Sequence, residues 1–91
     1  MGKAENLVEG YLVKQAKKRN IFCCKFVSPS MNGVPDRMVI KNGHTIFIET
    51  KSATGKLRES QKVVIKIMRE HGATVYVANS KEQIDEILAS L

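Results

Sequence analysis

The 91 residues are enough for one hydrophobic core and exclude a second domain beside it, so a single domain over 1–91 is expected. Hydrophobic residues at 43% and charged residues at 26% lie in the ordinary globular range, and no apolar run is long enough to span a bilayer, which excludes a membrane role. Lys and Arg outnumber Asp and Glu by 15 to 9, and a net charge of +6 on so small a body favours an anionic partner such as nucleic acid.

The opening MGKAENLVEG lacks the apolar stretch of a secretory signal, and Asn6 stands where a myristoylation motif needs Ser or Thr. The expected location is therefore the cytoplasm. Over residues 5–19, Leu7, Val8, Tyr11, Leu12 and Ala16 recur at the spacing of one helical face, which predicts an amphipathic helix. Lys14, Lys17, Lys18 and Arg19 in its last turn suit the negative end of the helix dipole as well as they suit phosphates. Residues 21–27 (IFCCKFV) read as a strand, followed by a loop of turn formers from Ser28 to Gly33. Cys23 and Cys24 are adjacent and point to opposite sides of an extended chain, so reduced, partly buried thiols are expected.

Two further strands, 36–40 and 45–51, flank Lys41-Asn42-Gly43-His44. Asn-Gly between such runs predicts a hairpin, because both residues tolerate the positive φ of a type I′ turn. Residues 57–71 form a second helix with Val64, Ile65, Ile67 and Met68 on its apolar face and Gly72 as its carboxyl cap. Thr74 to Ala78 is a fourth strand, and Ser80 with Gln83 forms a capping box for a last helix carrying Ile84, Ile87, Leu88 and Leu91. The order is αβββαβα, an α/β chain.

A two-residue turn at Asn42-Gly43 pairs Lys41 with His44, then Ile40 with Thr45, Val39 with Ile46, Met38 with Phe47, Arg37 with Ile48 and Asp36 with Glu49. Directly opposed residues share a face with Cβ atoms about 5 Å apart, so two carboxylates come side by side, with Lys51 on the same face. Opposed like charges weaken a sheet. A hard divalent cation between them removes the repulsion, and a nearby ammonium can assist a water or the charge of a transition state.

Val34-Pro35-Asp36, twelve intervening residues, and Glu49-Thr50-Lys51 resemble the PD-(D/E)XK signature of restriction-endonuclease-like nucleases. More narrowly, GVPDRMVI, IFIETKSATGKL, Ser60-Gln61 and TVYV resemble the VRR-NUC family, the virus-type replication and repair nucleases. The resemblance implies a restriction-endonuclease-like core with a mixed central sheet flanked by helices. It also implies that Asp36 and Glu49 ligate Mg²⁺ or Mn²⁺ with the carbonyl of Thr50, that Lys51 positions or activates the attacking water, and that Glu9 completes the metal site, with Glu5 as the alternative. By the same resemblance Gln61 orients Lys51 or a phosphate, and the protein is a phage-type, homodimeric enzyme acting on branched DNA.

Lys56, Arg58 and Lys62, around the start of the second helix, are candidate phosphate contacts, each weighed against a role as a solvated charge. A P-loop at Gly55-Lys56 is rejected, since Thr50 stands where the first glycine is required and Leu57 where Ser or Thr is required. His44, in the turn, and His71, at a helix end, are read as structural. The expected function is a metal-dependent endodeoxyribonuclease. The alternative is a non-catalytic nucleic-acid-binding module on a nuclease fold, which has no need of Asp36, Glu49 and Lys51 together.

Overall fold

The computed structural model describes residues 3–91, with side chains from Leu7 onward. Seven elements follow in the expected order: α1 Lys3–Lys18, β1 Phe22–Lys25, β2 Arg37–Lys41, β3 His44–Thr50, α2 Glu59–Glu70, β4 Thr74–Ala78 and α3 Lys81–Ala89. The sheet runs β1-β2-β3-β4, the first three strands antiparallel and β4 parallel to β3. The one parallel pair is joined through α2, the crossover that parallel strands require.

Asn42 and Gly43 have φ of 52° and 80°, the paired positive values of a type I′ turn. They impose the expected register, from Lys41↔His44 to Arg37↔Ile48. With the register set, Val39, Ile46 and Ile48 are committed to one face. They pack there with Val8, Leu12 and Ala16 of α1 and Ile84, Ile87 and Leu88 of α3 into one buried cluster. Phe47 and Glu49 are thereby committed to the other face, which α2 covers. Its Gln61 reaches Glu49, and Val64, Ile65 and Val75 are buried outside the first cluster.

Several boundaries differ from the pattern reading, β1 for one ending at Lys25 and not at 27, and two of them have definable reasons. Ile21 closes α1 rather than opening β1: Asn20 turns left-handed at φ 57°, and the amide of Ile21 donates to Ala16 O at 2.8 Å, a Schellman closure with Asn in the glycine place. Helix α2 starts two residues later than expected because Arg58 is its extended N-cap. Gly72 closes that helix as expected, with Ala73 N donating to Met68 O at 3.0 Å. In α3, Ser80 Oγ accepts from Gln83 N, but the Gln83 side chain takes the amide of Asn79 instead of that of Ser80, so the box is displaced by one residue. Both cysteines are free and partly buried.

Candidate active site

The site forms where β2 begins and β3 ends. The ladder stops at Arg37↔Ile48, one step short of the Asp36 and Glu49 pair, and Asp36 instead crosses to the next residue. Its Oδ2 accepts both the amide of Thr50 at 3.1 Å and the Thr50 hydroxyl at 3.0 Å. Asp36 is also fixed on the other side, its carbonyl accepting the amide of Phe26 at 2.7 Å. The carboxylate is thus oriented by a main-chain amide and a buried hydroxyl of one residue, Thr50.

Glu49 is 1% exposed. Lys51 Nζ lies 3.2 Å from its Oε2, and Gln61 Nε2 donates to the same oxygen at 2.9 Å. The other oxygen, Oε1, is buried and meets no hydrogen-bond partner among the described residues. A buried acceptor left unpaired costs about 1–3 kcal/mol, so an electropositive partner at this oxygen would be stabilising. Burial, and secondarily the charge of Asp36, push the Glu49 carboxyl above its ordinary value, while Lys51 pulls it back.

Gln61 is held in one orientation. Its Oε1 accepts the amide of Arg58 at 2.9 Å, which assigns the oxygen and leaves Nε2 for Glu49. The start of α2 is brought against the site by Gly33. A Cβ there would fall 2.5 Å from Ser60 O, and its φ of +101° disfavours a side chain in any case.

Residues 4–82 match the model of the VRR-NUC domain. This chain belongs to the VRR-NUC family. It is also 40% identical over 68 residues, 74% of this chain and 67% of the relative, to a protein named "Putative nuclease p44" from Acyrthosiphon pisum secondary endosymbiont phage 1. A solved structure described as a VRR-NUC domain superposes with a TM-score of 0.86 at 24% identity, covering 97% of each chain, and shares the fold.

Of the positions that the VRR-NUC resemblance implies, the structure brings Asp36, Glu49, Thr50, Lys51 and Gln61 together. Gln61 touches Glu49 rather than Lys51, and acts on the lysine only through the oxygen they share. Glu9 is not gathered with them: its Oε2 accepts from Arg37 Nε at 2.9 Å. Arg37 alternates with Asp36 along the chain, so this pair lies toward α1. Among the described residues no three His, Cys, Asp or Glu side chains converge on one point. The side chain of Glu5 falls outside the described residues. Lys56, Arg58 and Lys62 are exposed beside the start of α2, Lys62 in a surface pair with Glu59 at 3.1 Å. His44 lies in the exposed turn end of β3, and His71 Nδ1 sits 2.9 Å from Ile67 O, so neither approaches the carboxylates.

A divalent cation fits this donor set. Two carboxylates and a main-chain carbonyl are hard oxygen donors, and the unpaired Oε1 of Glu49 supplies the missing ligand atom. Sequence reasoning missed two residues here, Arg37, which pairs with Glu9, and Asn79, whose side-chain amide donates to the carbonyls of Ser52 and Gly55 just beyond Lys51. The first is legible only once α1 is placed over the sheet. The second carries a weak signal, a polar residue directly after the last buried position of a strand.

Proposed function

We propose that this protein is a Mg²⁺- or Mn²⁺-dependent endodeoxyribonuclease that hydrolyses DNA phosphodiester bonds, selecting branched DNA such as four-way (Holliday) junctions and acting as a homodimer. The observation that carries the reading is the buried Glu49, with one oxygen shared by Lys51 and Gln61 and the other without a partner among the described residues, beside Asp36 held on Thr50. The relative named as a nuclease supports the same activity, and its phage source supports the cytoplasm of a bacterial or phage-infected cell as the place of action. No helix of the described residues is long and apolar enough to cross a membrane.

Asp36, Glu49 and the carbonyl of Thr50 would hold the cation, whose chemistry is to stabilise charge at phosphorus and to lower the pKa of a bound water. Lys51 directs its ammonium to the same point from the Glu49 side. There it orients the attacking water and offsets the charge that develops as the new O–P bond forms and the bond to the leaving oxygen breaks. Gln61 keeps Glu49 from rotating away. Lys56, Arg58 and Lys62 take the flanking phosphates, contacts that position DNA without reading its sequence, which suits selection by shape. Two copies of the site nick two strands symmetrically, as a twofold dimer would allow. Glu9, whose Oε2 is held by Arg37, would join the metal site through its other oxygen, through water, or by leaving Arg37.

The test is cleavage of labelled four-way junction, flap, single-stranded and linear duplex DNA in Mg²⁺, Mn²⁺ or EDTA, with Lys51→Ala in parallel. Metal-dependent cutting that is lost in Lys51→Ala supports the enzyme, and the ranking of substrates tests the junction preference. Binding without cutting in either metal would replace it with the non-catalytic module.

A further inference from the structure

We infer that Asn79 is a positioning residue for this site: it bolts the turn that follows Lys51 and so fixes the direction of Lys51. This rests on the nuclease reading of the same site. Strands β3 and β4 are parallel, so their carboxyl ends lie side by side, the usual place for a site in an open α/β sheet. The ladder closes there with the amide of Lys51 donating to Ala78 O at 2.9 Å. Immediately beyond, β3 turns away through Ser52-Ala53-Thr54-Gly55, a β-turn closed by Gly55 N donating to Ser52 O at 3.0 Å.

Asn79 reaches across from the end of β4 into that turn. Its Nδ2 donates to Ser52 O at 2.7 Å and to Gly55 O at 3.1 Å. Both partners are carbonyls, so the amide has one orientation, and a residue with a single donor or none cannot replace it. Asn79 is itself held, since its own amide donates to the Gln83 side chain in the first turn of α3. A chain of contacts thus runs from α3 through Asn79 to both ends of the turn. One end is the residue after Lys51, and the other is the residue before Lys56. The side chain touches no reacting group. Its place, and not its chemistry, serves the site.

Asn79→Asp is nearly isosteric and turns lone pairs toward two carbonyl oxygens, whereas Asn79→Ala only removes the donors. Both are to be compared with the wild-type chain by single-turnover cleavage at saturating DNA in Mg²⁺, DNA affinity in Ca²⁺, thermal melting, and amide exchange of Gly55 and of β3. The expected result is a maximal cleavage rate lowered about tenfold or more, as small misplacements of a catalytic group produce, with Asp worse than Ala. DNA affinity should change less than about threefold, and exchange should quicken at Gly55 while β3 amides stay protected, since an opening confined to the turn leaves the sheet intact. Folded variants with unchanged maximal rates, a loss found wholly in affinity, or unchanged exchange at Gly55 would overturn the inference. If Asp fails to fold, Ala decides by the same criteria. If the wild type cuts no DNA, the nuclease reading fails, and Gly55 exchange still decides whether Asn79 holds the turn.

Discussion

Glu49 shows what the site costs the fold. Its side chain faces the interior beneath α2, its charge is desolvated and opposed by Asp36, and one of its oxygens has no partner among the described residues. With the carboxyl pushed above its ordinary value by burial, the folded state holds the proton more tightly than the unfolded chain does. Its contribution to stability is therefore fully present below that value and is lost as pH rises through the raised pKa. In EDTA, Glu49→Gln should abolish that part of the pH dependence and melt a few degrees above the wild type at neutral pH. Mg²⁺ or Mn²⁺ should reverse the order, raising the wild type by binding its folded state and leaving the variant where it was. Melting curves from pH 4 to 8, with and without metal, read both effects. A variant that melts below the wild type in EDTA at neutral pH would show that the pair with Lys51 outweighs the desolvation.

Elements place these residues, and the hairpin does most of it. Once Asn42 and Gly43 fix the turn, period-two alternation alone sends Glu49 and Lys51 to one face, so that much was legible in the sequence. The crossing of Asp36 to Thr50 was not, because the ladder ends at Arg37 and pairing rules stop with it. The Glu9 and Arg37 pair was equally hidden, since periodicity gives the apolar face of α1 but not which of its polar flanks lies over β2. Gly33 marks where the loop after β1 meets α2, and its motif position was legible while its partner Ser60 was not. Gly33→Ala must relieve a clash and a positive φ together, at about 1–3 kcal/mol for each such strain. It should lower the denaturant midpoint and also slow cleavage at temperatures where the variant is folded, because Gln61 moves with the start of α2. Leu12→Ala, which opens a cavity in the opposite core at about 2–5 kcal/mol, is the contrast: it should lower stability and leave the rate of the folded enzyme unchanged.

Across the whole molecule, the two ends of the sheet carry separate basic groups. Lys56, Arg58 and Lys62 stand at the end where β3 finishes and α2 begins. Lys14, Lys17 and Lys18 belong to the last turns of α1, whose closing carbonyl at Arg19 accepts from Lys41 Nζ at 3.2 Å, at the hairpin end of β2. Asp36 and Lys41 are five residues apart on an extended chain, roughly 17 Å at strand rise, so the first group borders the carboxylates and the second stands away from them. Salt dependence separates them. Each phosphate neutralised by the protein contributes about 0.9 to the slope of log affinity against log salt on duplex DNA. Lys56→Ala, Arg58→Ala and Lys62→Ala should each lower that slope by about one such contact, Lys62 despite its exposed pair with Glu59, which water and salt already weaken. Lys17→Ala should leave the slope unchanged while weakening affinity only slightly at low salt, through the screened field of the net charge. Slopes measured by fluorescence anisotropy in Ca²⁺ between about 0.05 and 0.3 M salt decide the matter over the range in which such contacts are resolved. An equal loss of slope in Lys17→Ala would carry the DNA path around the sheet to α1, and the basic last turn of that helix would then be part of the binding surface and not a dipole cap.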